Sequence, residues 1–435
     1  MVKAFAINAA ILQKLRLIRP VGLILAVSMA CALWPLSTSA QSDPSPTFRT
    51  PVPTVNLPSE GASSSDSQPY NIKLGQALAK FSGRLDTRYT DNATFSENNR
   101  QDDIFITPGV DMSLTWPMTE FNTLRINTGF AYRFAINDTE TAGNGFLINP
   151  DSMIDFDMFV GDFRFNFYDR FSYEIDPIEE STVSGTGDFG RFINTAGIDI
   201  FWNLNQIELM VGYAHTDWIS TSSSFEFLDR RTETVHGRAT FILGPKTSAG
   251  VMASTSLNIY DRDFQNDSTR VSVGPFLSTK ITDNLNLLAR ASFELGLFDS
   301  GNLNGDNQDL STYNVSVTLN HDLNRYLAHS LETGRVTNLG TTSNFYDTIF
   351  VRHRAAWKIM RDVTLNSHGF VEFSDESAST SSDQFTRWGV GCSASYQITE
   401  KLSSTLGYNF IEKDSGRIDR SYYQNNVTLG FRYDF

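Results

Sequence analysis

The last nine residues of the chain, Val427, Thr428, Leu429, Gly430, Phe431, Arg432, Tyr433, Asp434 and Phe435, alternate apolar and polar side chains without a break. Period two means an extended strand whose two faces meet different surroundings. A half-buried edge strand of a soluble sandwich can alternate in this way. It rarely loads one face with aromatics and finishes on one of them. A strand that closes a transmembrane barrel does both, because its outer face meets lipid and its end meets an aromatic girdle.

Leu429, Phe431, Tyr433 and Phe435 resemble the C-terminal signal by which bacterial outer-membrane proteins are recognised for barrel insertion, which makes the barrel-assembly machinery an expected partner. The opposite end reads as a secretory signal peptide over 1–40. Lys3, Lys14, Arg16 and Arg19 supply positive charge, residues 21–33 form an apolar run, and Thr38, Ser39 and Ala40 offer small residues for cleavage. That run is too short for a comfortable membrane span. Ser28 stands where a lipoprotein site before Cys31 would carry leucine. Cleavage removes four positive charges and no acid, taking the formal charge from −14 to −18, which excludes nucleic acid as a partner sought through net charge. Cys392 is then the remaining cysteine, so no disulfide framework exists.

Residues 41–70 are rich in Pro, Ser and Thr and read as a periplasmic leader. From 71 to 435 strand-like runs follow one another with no long apolar stretch, which excludes a helical membrane protein. Tight turns fall near Pro117, Gly161, Asn203, Pro245, Asp283, Asp322, Asp362 and Thr399, a hairpin-sized repeat of about forty residues. Longer polar loops fall at 92–100, 137–150, 177–190, 221–225, 264–268, 299–309, 340–344, 374–383 and 413–417. This pattern predicts an all-β fold: a transmembrane antiparallel up-and-down β-barrel of about 18 strands (16–18), with short periplasmic turns and longer outer loops. Its place is the cell outer membrane, against lipid and lipopolysaccharide.

The strands sort by face. Leu124, Ile126, Phe130, Tyr132, Phe134 and Ile136 share one parity, against Arg125, Asn127, Gly129, Ala131 and Arg133 on the other. Two residues break the pattern: Asp169 falls in line with Phe163, Phe165, Phe167 and Phe171, and His353 falls among apolar neighbours. A bulge or a position near the membrane edge would accommodate either. The inward parity of the first, third and fifth strands carries Arg84 and Arg88, Arg125 and Arg133, Arg164 and Arg170, with Asp86, Asp111, Asp155 and Asp157 nearby. Arginines facing carboxylates across water would set up a transverse field that orients polar solutes. The plainer alternative is that these charges pair with one another and solvate the lumen.

The start of this region, Ile72-Lys73-Leu74-Gly75, then Leu85 to Thr90 leading into Asp91-Asn92, resembles the putative beta-barrel porin-2 family of Gram-negative outer membranes. Asp102-Asp103-Ile104-Phe105 running to Thr107-Pro108-Gly109-Val110 fits the same pattern, whereas Gln76 stands where the family usually has proline. The resemblance implies an outer-membrane barrel, often linked to capsular or exopolysaccharide loci, and brings no catalytic residues with it.

Other motifs carry less. The glycines of Gly185-Thr186-Gly187-Asp188-Phe189-Gly190 match a dinucleotide loop, but they sit in an outer loop and a strand follows where that chemistry needs a helix. His215, His236, His321, His329, His353 and His368 show no zinc spacing. His215 and His353 lie on the apolar parity, where a barrel lipid hydrolase would carry its histidine, although interfacial histidines are far commoner than catalytic ones. Asp299, Asn302, Asn304, Asp306 and Asp309 crowd one loop with oxygen ligands, yet the glycine and glutamate of a regular calcium loop are misplaced. That loop reads as solvated. The sequence calls for no cofactor, no metal and no enzyme. It fits a porin-like passive channel for small polar or ionic solutes, or an accessory barrel that serves exopolysaccharide export with other components of that system.

Overall fold

The computed structural model describes residues 70–137, 143–178, 180–377 and 382–435, so the expected signal segment, and the leader up to Tyr70, lie outside it. Its first strands are β1 (Ile72–Leu74), β2 (Ala77–Thr90), β3 (Asp103–Pro117), β4 (Thr123–Ala135), β5 (Gly145–Ile148), β6 (Met153–Val160) and β7 (Phe163–Glu174). Next come β8 (Arg191–Asn203), β9 (Ile207–Ser220), β10 (Arg230–Gly244), β11 (Thr247–Tyr260), β12 (Ser268–Thr282) and β13 (Leu285–Phe298). The chain finishes with β14 (Leu310–Asn324), β15 (Leu327–Leu339), β16 (Phe345–Met360), β17 (Val363–Glu376), β18 (Gln384–Gln397), β19 (Leu402–Ser415) and β20 (Tyr422–Asp434). A 3-10 helix, Ser223–Leu228, lies between β9 and β10.

Neighbouring strands pair antiparallel in chain order, and β20 returns to β2 over nine positions, from Ser82↔Asp434 to Thr90↔Asn426. The sheet is therefore closed. β5 and β6 both pair with β4 and with β7, so they are two halves of one wall strand. β1 folds back on the start of β2 as a short hairpin. Eighteen wall strands remain, within the expected range. At about 3.4 Å per residue and a tilt of about 40°, a strand of fourteen residues rises roughly 35 Å, more than the ~25 Å apolar band of an outer-membrane barrel.

All eight tight turns fall at one end, and the first and last wall strands begin and end there too. The β6–β7 turn needs only Gly161 and Asp162. Gly161 takes φ +60, the left-handed backbone that so short a connection demands and that glycine adopts without cost. The other end carries the long connections. One differs from its expectation: the stretch 137–150 contains β5 and is not continuous loop.

Face assignment follows the pairing register, because directly opposite residues share a face. Val110 pairs with Phe130 and Phe130 with Ile148, all outward; Leu429 pairs with Leu406 and Thr87 on the same face. Leu429, Phe431, Tyr433 and Phe435 are exposed on this outer wall. Trp116, Phe163, Trp202, Phe241 and Tyr396 join Tyr433 and Phe435 in an exposed aromatic ring near the short-turn end. Asp169 stands on the outer wall, opposite Ile154 at the end of the β5–β6 break; its carboxylate accepts a hydrogen bond at 2.5 Å from Asn194, which shares that face.

A paired substitution tests the faces. Val251 is exposed on the outer wall and Ser254 points inward on the same strand. Val251→Arg is expected to cost about 2–4 kcal/mol, read by reversible denaturant unfolding in vesicles, whereas Ser254→Arg is expected to cost less than about 1 kcal/mol because the charge stays in water.

Candidate functional site

The inner wall of β20, β2, β3, β4, β6 and β7 carries charge at nearly every level. Arg84 lies 3.6 Å from Asp111 and 3.9 Å from Asp86, and it donates a hydrogen bond to the side-chain oxygen of Asn149. Arg432 reaches the other oxygen of Asp111 at 3.3 Å. Nearer the short turns, Arg125 bridges Asp155 at 2.9 Å and Asp157 at 2.7 Å, and Arg164 approaches Asp157 at 3.6 Å. Asn166 donates to both of these carboxylates. Arg170 stacks on Tyr168 at 5.1 Å. Arg84 and Arg432 thus converge on Asp111 of β3, and Arg125 and Arg164 converge on Asp157 of β6 from the strands on either side.

Arg88 and Arg133 do something else. Both grip Asp176, at 3.0 and 2.7 Å, and Arg133 is almost wholly buried. Asp176 opens the β7–β8 connection, residues 175–190. Burial works against its charge, but Arg88 and Arg133 beside it hold its carboxyl down at about 2. From this anchor the loop crosses the mouth of the barrel. Ile178 packs on Phe95 of the β2–β3 loop and on Phe370, Ile411 and Tyr422 of β17, β19 and β20. Its carbonyl accepts from Arg387, and Ser184 takes a hydrogen bond from Lys413 at 3.0 Å. The chain then returns, burying Val183 and Phe189 against Trp218 and Leu228.

This inward loop was not read from the sequence, although a signal was present. Val183 and Phe189 are large apolar residues within the polar stretch 177–190, Ile175 lies just before it, and all three are buried. The glycine pattern 185–190 belongs to the same loop and runs into β8, with no helix following.

The acidic loop 299–309 is packed at Asn304 and Asp306, while Asp299 and Asp309 are exposed, as expected of a solvated loop. Asp306 is 1% exposed and accepts from the Asn344 backbone and from Ser377, while Asn304 donates to Gln265 and Asn344. These two side chains tie the loop to three other outer connections, while the rest of it stays solvated. The outer-wall histidines also find partners. Both ring nitrogens of His215 meet carboxylates, Glu233 at 2.8 Å and Asp217 at 3.2 Å, leaving neither to activate a hydroxyl. His353 packs on His329, which meets His321 across the strand pair at 3.1 Å.

No family model and no curated protein matches this chain. Among solved structures it is similar to Acinetobacter baumannii OccAB3, at 10% identity and TM-score 0.49, covering 83% of this chain and 100% of that one. It is similar also to Pseudomonas aeruginosa OccK2 (OpdF) in complex with glucuronate, at 10% identity and TM-score 0.48, covering 83% and 99%. A third is Pseudomonas aeruginosa OpdK with vanillate, at 8% identity and TM-score 0.46, covering 82% and 99%.

The Asp176 anchor makes a testable demand. A carboxyl whose folded pKa is depressed stabilises its contact above the ordinary carboxylate range and loses it as the pH falls through the folded value. Protease cleavage within 177–190 is therefore expected to stay slow at neutral pH, to begin accelerating below about pH 4 and to level off near pH 2. Asp176→Asn leaves Arg88 and Arg133 facing each other and is expected to speed cleavage at neutral pH at least about tenfold.

Proposed function

We propose that this barrel lies in the outer membrane and passes small polar or ionic solutes passively through a water-filled lumen. The observation that carries the reading is the charged ladder of the inner wall, set back to back with an exposed apolar outer wall on the same strands. Eighteen strands enclose more space than side chains fill, so the ladder faces water. The first strands and their resemblance to the putative beta-barrel porin-2 family support the same reading. Residues 1–40 would direct export, 41–70 would form a periplasmic leader, and Leu429, Phe431, Tyr433 and Phe435 would be read by the barrel-assembly machinery. The outer wall would meet lipid and, through the outer leaflet, lipopolysaccharide.

Within the lumen we assign Arg84, Arg125 and Arg164, with Asp86, Asp111, Asp155 and Asp157, to the field that solutes cross. Arg88 and Arg133 hold the inward loop. Arg125 is the informative residue, since its side chain is 41% exposed while it serves two aspartates. Arg125→Ala leaves Asp155 and Asp157 with less compensation, so the lumen gains negative potential. In planar bilayers under a salt gradient, the reversal potential is expected to move toward cations, with the cation-to-anion permeability ratio rising by about twofold or more. An unchanged reversal potential removes Arg125 from the selectivity field.

The docked loop 175–190 favours a second reading, an accessory barrel of an exopolysaccharide export system kept closed by its own loops. Single-channel recording of wild-type protein separates the two. Large, steady steps support the open channel. A sealed bilayer, from protein shown folded by heat-modifiable gel migration, supports the closed barrel.

A further inference from the structure

The break between β5 and β6 has a defined size. Ile148 pairs with Phe130 on β4, and Ile154 pairs with Ile126. Six residues of this strand therefore span what four residues span on its neighbour. The other side agrees: Ile148 pairs with Tyr173 and Ile154 with Asp169 on β7. Two extra residues are inserted relative to both neighbours. Because the number is even, parity is kept, and Ile148 and Ile154 both face outward.

The insertion goes inward. Asn149 accepts a hydrogen bond from Arg84 and donates to Asp111 at 2.9 Å, and both partners belong to the inner wall. It lies directly over Gly129, where an added Cβ would fall 2.1 Å from the Asn149 amide nitrogen and 2.3 Å from Asp111. The Asp151 carbonyl accepts from Asn127, again on the inner wall, and Asp151 is exposed. Ser152 closes the excursion by donating its backbone N–H to the Asn149 carbonyl, and its own carbonyl takes the Phe171 N–H. The backbone is thus satisfied on both sides of the break, and Pro150 sits where no strand hydrogen bond is required of it.

We infer that the two-residue insertion of Pro150 and Asp151, held by Asn149 beside it, is a lumen shelf that narrows the solute path and sets its charge preference. It lies between the Arg84–Asp111 group and the Arg125–Asp155–Asp157 group. A solute moving along the ladder meets the Asp151 carboxylate between two guanidinium levels. This inference deepens the channel reading and rests on it for its role, though not for its geometry.

The register names the decisive variant. Deleting Pro150 and Asp151 leaves Ile148, Asn149, Ser152, Met153 and Ile154 consecutive, which matches Phe130 to Ile126 residue for residue and restores one uninterrupted strand. In bilayers its conductance is expected to exceed wild type by about twofold or more. Asp151→Lys, which keeps the shelf and reverses its charge, is expected to move the reversal potential toward anions. A third variant, Asp151→Cys with Cys392→Ser, reads the shelf without conduction: a charged, water-soluble thiol reagent should modify it in liposomes, and a bulky one should reduce any current. If wild type conducts, and the folded deletion variant and Asp151→Lys both behave like wild type, the shelf is overturned. If wild type is silent, the channel reading fails by itself. The shelf is then judged by labelling of the Asp151→Cys variant: reaction of its thiol from water upholds the shelf's place in the lumen, and no reaction overturns it.

Discussion

The pairing of β2 with β20 is the contact on which the rest depends. A sheet in hydrocarbon has no water to satisfy the backbone groups of an edge strand, so first and last strands must meet or the wall cannot exist there. Antiparallel neighbours in chain order can close only with an even number of wall strands, which brings the start of β2 and the end of β20 to the same side, here that of the short turns. Closure also fixes the register of every strand relative to the first. A slip of one residue anywhere would turn an apolar row inward and a charged row outward. The nine paired positions from Ser82 to Thr90 therefore hold the whole assignment of inner and outer residues.

With the faces fixed, the arginines divide into two groups by height. Those lower in the lumen, Arg125 and Arg164, bond to aspartates on adjacent strands and keep contact with water. Those near the mouth, Arg88 and Arg133, are spent on Asp176. The difference lies in what covers them. An ion pair in open water is worth little, but Arg133 is covered, at 3% exposure, so losing Asp176 would leave its charge in poor solvent, whereas Arg88 keeps contact with water. The same residue type thus makes a field at one level and a hinge pin at another. Around Asp111, Asp155 and Asp157 the lumen wall is locally compensated. Any selectivity comes from the arrangement of the charges and from small excesses, not from a bare row of one sign.

The barrel was legible in the sequence because its signal is periodic and repeated. Each strand restates the alternation, and each tight turn needs residues such as Gly161 or Asn203 that mark their own positions. The inward parity of Arg84, Arg125 and Arg164 could be read for the same reason. What was not legible depends on contacts between residues far apart in sequence. Ile178 finds Phe370 and Ile411 across the mouth, and no local pattern says that a loop will cross the opening to reach them. Asn304 and Asp306 looked like solvated oxygens, and their burial is set by Gln265, Asn344 and Ser377 on other loops. Local clues existed in Ile175, Val183 and Phe189, where apolar mass in a loop requires a surface to cover.

The shelf at Asn149 to Ser152 shows why such a break can exist at this point and on this face. An interrupted strand leaves backbone groups without ladder partners. On the lipid side each would cost several kcal/mol, about the stability of a whole domain if repeated. On the lumen side water is at hand, and Arg84, Asp111 and Asn127 already stand on the wall to receive Asn149 and Asp151. Gly129 supplies the remaining condition, since any side chain there would occupy the space that Asn149 fills. An insertion of two keeps Phe146 and Ile148 on the lipid side, and the one-residue register shifts of this wall, such as those at Ile242/Gly244 and Lys280/Thr282, lie at the short turns. The charged inner wall is therefore what lets the strand bend inward, and the even count is what leaves the apolar outer wall unbroken.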